Sequence, residues 1–151
     1  MKVKLIPHKA PIKVRRPSSV SASLTLEALR EAAVVFAEAM KDEAPGTMGD
    51  AVEIREPKLE GADGTIGVIK VVVNDIAAKF VIEGTDSPIV PTEGEFLSFR
   101  NKEGERIRIR SVEGQPANDF PQRARNRVRD EVASIFRQYG LKLLTHGGWG
   151  G

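Results

Sequence analysis

The sequence predicts an α+β fold: an antiparallel sheet of about four to five strands packed with an N-terminal and a C-terminal helix, preceded by an extended N-terminal arm. Three observations carry this. Two long stretches repeat apolar residues at helical spacing. Between them, short Val- and Ile-rich runs follow the period of strands. Gly, Pro and Asn–Asp punctuate those runs where chains turn.

The chain has 151 residues, enough for one domain with a moderate core. The expected division is a basic arm over residues 1–22, a single domain over 23–140 and a Gly-rich tail over 141–151. Hydrophobic residues make up 40% and charged residues 29%, the composition of a soluble globular protein, while aromatics at 5% predict a thin aromatic core. No apolar run approaches the roughly 20 residues that a membrane span needs, so no membrane partner is expected. Nor is a secretion signal expected, because no n-region and h-region open the chain. Cysteine is absent, which excludes disulfide and thiol chemistry.

Taken in order, Met1, Val3 and Leu5 alternate with Lys2 and Lys4 before Pro7, Pro11 and Pro17. That pattern reads as an extended arm with at most one short strand and no packed element. A helix is expected from about Leu26 to Glu43, with Thr25 as N-cap and Leu24 and Leu29 as a hydrophobic staple. Leu26, Leu29, Ala33, Phe36, Ala37 and Met40 share an arc of about 100°. Glu27, Glu31, Glu38 and Asp42 lie opposite, Val34 and Val35 fall outside the apolar stripe, and Pro45-Gly46 stops the helix.

Val52 to Pro57 alternates as a strand, and the Gly61–Gly64 turn leads into a second strand over Thr65–Val73. Ile76–Ile82 fits a short helix or further strand. Phe80–Pro91 then turns at Gly84 and leaves through Pro88 and Pro91, a fixed crossing between parts of a sheet. Glu95–Arg100 and Arg106–Val112 form an expected hairpin around Asn101–Glu105. In its second arm Arg106, Arg108 and Arg110 share one face, which suits water or a partner and not a core. Asn118 should cap a final helix through about Tyr139, its apolar face formed by Phe120, Ala124, Val128, Val132, Ile135 and Tyr139 and its end marked by Gly140. Arg127 is expected to pair with Asp130 and Glu131 at helical spacing. In the glycine-rich end, Trp149 is either idle or an anchor in another chain.

No catalytic constellation emerges. His8 and His146 lie in opposite terminal segments without metal-site spacing, and no Ser, His and acid form a triad pattern. The glycines from Gly61 to Gly67 precede a strand, not a helix, so they do not cradle phosphate. The sequence therefore predicts no enzyme, no cofactor and no metal. Charge is more informative: the net value of +2 conceals six cations and no acid in residues 1–16, an acidic lean over 27–63 and an arginine-rich stretch over 100–137. Such asymmetry suits contact with a polyanion or an acidic protein surface. A small basic nucleic-acid-binding protein is one reading, although aromatics do not interleave with the cations as base stacking would need. A structural or interaction protein is the other.

Several segments occur in an order that narrows this choice. Glu43-Ala-Pro-Gly-Thr47 ends the first helix and a valine-rich strand follows. Next come Ala78-Lys-Phe-Val-Ile-Glu-Gly-Thr85-Asp-Ser-Pro-Ile-Val-Pro91, then Leu97-Ser-Phe99, then Glu113-Gly-Gln-Pro-Ala-Asn-Asp-Phe120 before the last helix. This series, spanning about residues 24–139, resembles the siphophage neck and tail-completion proteins, the group of small tail components that includes minor tail protein Z-like chains and tail terminators. The chain departs from them in its longer basic arm, in Thr47-Met-Gly49 where a longer motif is usual, and in its Gly/Trp end.

The resemblance implies a virion protein of the phage neck or tail, made in the host cytoplasm. It would form a ring, usually a hexamer, that terminates or completes the tail tube and joins it to the head. The implied partners are further copies of itself, a tail tube protein, a head-completion or connector protein, and DNA passing through the lumen. A closed head-to-tail ring needs two different complementary patches on each subunit. The expected patches are Glu27, Glu31 and Glu38 on one side and Arg106, Arg108 and Arg110 on the other. Lys2, Lys4, Arg15, Arg16 and Trp149 are the expected contacts to adjacent rings.

Overall fold

The core is a sheet with two helices laid on one of its faces. The computed structural model describes residues 8–75, 77–84, 97–100, 106–109 and 117–150. The elements in order are β1 (His8–Arg15), α1 (Ala22–Glu43), β2 (Val52–Ile54), β3 (Lys58–Glu60), β4 (Ile66–Val73), α2 (Ala78–Glu83), β5 (Leu97–Arg100), β6 (Arg106–Ile109), α3 (Phe120–Tyr139) and β7 (Lys142–Leu143). The α+β class expected from the sequence is what forms, with an antiparallel five-stranded sheet. Its spatial order is β2-β4-β1-β7, and β3 lies end to end with β2 along β4.

The first correction concerns the N-terminal arm. From His8 to Arg15 it is a full interior strand, paired with β4 along its whole length from His8 opposite Val73 to Arg15 opposite Ile66. Pro11 is tolerated there because its carbonyl points away from β4, to the side where Trp149 donates to it. Its missing N–H therefore falls on the edge that β7 leaves unpaired. Ala10, Ile12 and Val14 are fully buried against the helices. The alternation of Met1, Val3 and Leu5 lies outside the described residues.

α1 starts earlier than expected. Ser21, not Thr25, caps it by accepting from the Leu24 amide. Thr25 is inside the helix, buried, with its hydroxyl donating to the Ser21 carbonyl. Leu24 is consequently 45% exposed and forms no staple. The expected apolar arc is buried apart from Leu26, which is half-buried, but Ala28, Ala32 and Ala39 are buried beside it. The wider arc has a simple cause: α1 meets two partners, the sheet and α3.

On the sheet side, Gly67 of β4 leaves room for α1. A Cβ there would lie 3.0 Å from both Leu29 Cδ1 and Thr25 Cγ2. On the other flank, small alanines let α3 approach. Its Tyr139, Arg127 and Arg123 reach Glu31, Asp42 and Glu43 in turn, so the two helices run antiparallel. Arg127 thus bonds Asp42 at 3.2 Å across the helix pair, in place of the expected partners Asp130 and Glu131.

α3 follows its sequence pattern closely. Asp119, one residue past the expected Asn118, accepts from the Gln122 amide, and Gly140 ends the helix in the left-handed region. Phe120, Ala124, Val128, Val132 and Ile135 are buried, and Tyr139 is half-buried. The ambiguous stretch after Asn74-Asp75 becomes the helix α2, closed by Gly84. The rest of the Phe80–Pro91 crossing lies outside the described residues.

β5 and β6 pair antiparallel as a separate two-stranded sheet, from Leu97 opposite Ile109 to Arg100 opposite Arg106. The end of the chain also departs from expectation. Leu141 is buried, β7 pairs with β1, and the segment to Trp149 is packed into the core. The packed domain therefore runs from His8 to Trp149, beyond both expected boundaries.

Candidate interaction surfaces

The phase that Ser21 sets for α1 puts Glu27, Glu31, Val34 and Glu38 in one longitudinal row, at spacings of four, three and four residues. All four are exposed, Val34 by 48%. None of the three carboxylates joins an ion pair among the described residues, whereas Asp42 and Glu43 on the same helix are held by α3. Glu31 accepts a hydrogen bond of 2.9 Å from the Tyr139 hydroxyl. That bond, then desolvation and the charges of Glu27 and Glu31, raise the Tyr139 pKa above its ordinary value. Like charges one turn apart, as at Glu27 and Glu31, oppose helix formation by about 0.2–0.5 kcal/mol. Of the three carboxylates only Glu31 serves the fold, through its bond to Tyr139, while Glu27 and Glu38 join no ion pair among the described residues.

Arg106 and Arg108 occupy alternate positions of β6, opposite Arg100 and Ser98. Arg110 lies outside the described residues, as do Lys2 and Lys4.

Two of the expected inter-ring contacts are used within the chain. Arg16 donates from Nε to the Gly64 carbonyl, from one terminal nitrogen to Val20 and from the other to Asp63, at 2.8, 2.9 and 2.8 Å. Its guanidinium closes the 61–64 turn onto the start of α1. Trp149 is 1% exposed. Its indole N–H donates to the Pro11 carbonyl at 2.9 Å, and its ring meets Phe36 edge-on with centroids 5.0 Å apart. It is an anchor, but in its own chain. Arg15 is exposed at the end of β1.

A buried polar cluster lies beside Trp149. Arg125 of α3 is 7% exposed, with its guanidinium carbon 5.7 Å from the centre of the Phe36 ring. It donates to Gln122 Oε1, while Gln122 donates to the Gly148 carbonyl, and the Arg125 Nε has no partner. Burial pushes the Arg125 pKa down, opposed by the charge of Asp119. The buried Nε2 of His8 is also unpartnered. Burial and then Arg125 lower the His8 pKa from 6.5, while Asp119 and Glu83 act in the opposite direction. The sequence carries a signal for Arg125: it falls at helical spacing from Pro121, Val128, Val132 and Phe136, inside the buried arc of α3. Among the described residues no group of three His, Cys, Asp or Glu side chains is placed to hold a metal ion. No described helix is long and apolar enough to cross a membrane.

No family model, curated protein or solved structure matches the chain.

Proposed function

We propose that the protein is a structural virion subunit at the phage head–tail junction, forming a ring that terminates or completes the tail tube and joins it to the head. The observation that carries this reading is the coincidence of motif order with element order. Ala44-Pro45 falls at the C-cap of α1. The valine-rich run is β4. Ala78 to Gly84 is α2 and its terminating glycine. Leu97-Ser-Phe99 lies in β5, and Asn118 to Phe120 opens α3. The described part of each motif thus lies within or at the end of an element, in chain order.

The exposed row on α1 supports the same reading. An acidic line that contains an uncovered valine suits a protein surface better than a substrate. In this reading the protein binds no cofactor, its lumen admits DNA, and its neighbours are a tail tube protein and a head-completion or connector protein.

Electron microscopy of particles assembled without the protein tests it. Free heads beside tails of uncontrolled length are the expected result. Complete particles with normal tails would remove the assignment.

A further inference from the structure

Val34 of α1 and Ile54 of β2 are exposed by 48% and 41%, and the fold brings them to one level. α1 runs alongside β4: its Thr25 and Leu29 stand over Gly67, and its Lys41 backbone meets Gly49, just before Val52 and its partner Val73. β2 is antiparallel to β4, so it is antiparallel to α1 as well. Arg30 of α1 reaches Glu56 at 3.5 Å. Val34 lies one turn further along the helix, about 6 Å on. Ile54 lies two residues back along the strand, about 7 Å away in the same direction. It pairs with Val71 of the helix-side core, so its side chain shares that face.

β2 also ends the sheet on this side among the described residues. Ala51 accepts from the Asn74 amide and Arg55 donates to the Lys70 carbonyl, so residues of that parity bond β4. The N–H and C=O of Ile54 have the other parity and point outward. Such an edge is a template for a strand of another chain.

We propose that this edge pairs with the same edge of a second copy, β2 antiparallel to β2 about a two-fold axis through Ile54. The proposal goes beyond the ring reading and does not rest on it. An isologous contact needs a patch that complements itself, and two separate elements meet that demand at the same level. On the sheet, Ile54 exchanges both backbone bonds with its own copy, which sets Glu53 opposite the second copy's Arg55 and Arg55 opposite its Glu53. The same axis lays the two α1 helices side by side and antiparallel. Val34 then meets its own copy, Glu38 comes opposite Arg30, and Glu27 comes opposite Lys41. All of these side chains are exposed.

The register has no equal among its neighbours. Moving the axis to Glu56 sets that carboxylate against its own copy, and moving it to Val52 uses an N–H already given to Gly49. The occupant is a second copy because the charges of the edge alternate in sign, as Glu53, Arg55 and Glu56 beside Arg30. Neither a polyanion nor a basic peptide finds one sign there to complement.

Charge variants of the full-length chain test the axis. Glu53→Arg alone and Arg55→Glu alone each put like charges opposite one another twice. Sedimentation equilibrium should show each variant dimerising about tenfold more weakly than the unaltered chain. Mixed in equal amounts, the two should form a one-to-one heterodimer at the unaltered affinity, because one copy then offers two arginines and the other two glutamates. Ile54→Lys should abolish the dimer with its circular dichroism unchanged. If that variant fails to fold, the charge mixture reads the same axis without it.

Unchanged dimerisation in both charge variants would overturn the proposal, as would an unaltered chain that stays monomeric at high concentration. Weakening in both without recovery on mixing would overturn it too, since the edge would then meet a different surface.

Discussion

The C-terminal segment and the outer row of α1 both offer side chains suited to contacts beyond the chain, and they end in opposite states. Trp149 is taken up by its own domain, hydrogen-bonded to Pro11 and packed on Phe36. Glu27, Glu31 and Glu38 stay on the surface, outside every ion pair of the described residues. The difference teaches that availability to a partner depends on what the fold leaves over. A lone tryptophan on a glycine-rich end has a core within reach, and the glycines are what let it get there. A row of like charges on the outside of a helix has no such outlet.

The sharpest way to break the contrast is to remove the anchor. Trp149→Ala empties a site that is 1% exposed, and truncating a buried Trp typically costs about 3–5 kcal/mol. Chemical denaturation should show a loss of that size, together with protease sensitivity confined to the last ten or so residues in conditions where the rest stays folded. A Trp149 that merely lay on the surface would give neither result.

Gly148→Ala should cost less, about 1–3 kcal/mol. Its φ of +93° is one that side chains rarely adopt, and a Cβ would lie 2.4 Å from Gln122 Oε1 and 2.9 Å from an Arg125 nitrogen. A melting temperature equal to that of the unaltered chain would mean that the close approach is not needed.

The polar cluster beside the anchor gives a smaller, pH-dependent effect. The His8 pKa is lowered in the fold, so the unfolded chain binds its proton first as pH falls through 6.5. Stability present above that value is then lost progressively as pH drops toward the folded pKa. Thermal melts from pH 7.5 to 5 should fall more steeply for the unaltered protein than for His8→Gln. Identical pH profiles would show that His8 does not sense its burial.

The smallest stability effect belongs to the outer row. Glu27→Gln with Glu38→Gln should leave the melt unchanged or raise it by a few tenths of a kcal/mol, because it relieves like-charge repulsion. A clear loss of stability would mean that the row serves folding, and the contrast with Trp149 would disappear.

These residues also mark where the sequence is readable. α3 is legible almost to the residue because its apolar spacing, Asp119 and Gly140 all agree. β4 is legible because an Ile- and Val-rich run between two turns has few alternatives. β1 is hidden by Pro11, since nothing in the sequence tells that its missing N–H falls on an unpaired edge. The start of α1 is shifted because Ser21 and Thr25 are both good caps, and packing decides between them. The docked end is misread because glycine has two uses: Gly148 reads as freedom in the sequence and serves as clearance in the fold. The acidic row of α1 is plain from helical spacing alone.

The central claim is that the acidic row of α1 is left over by the fold as a contact surface between copies of the chain. Zero-length carbodiimide cross-linking of a mixture of natural-abundance and nitrogen-15-labelled full-length chains tests it most directly. Mixed-isotope peptides joining Glu27, Glu31 or Glu38 to a lysine of another copy are the predicted result. An assembled sample whose cross-links between copies all join other residues would contradict it.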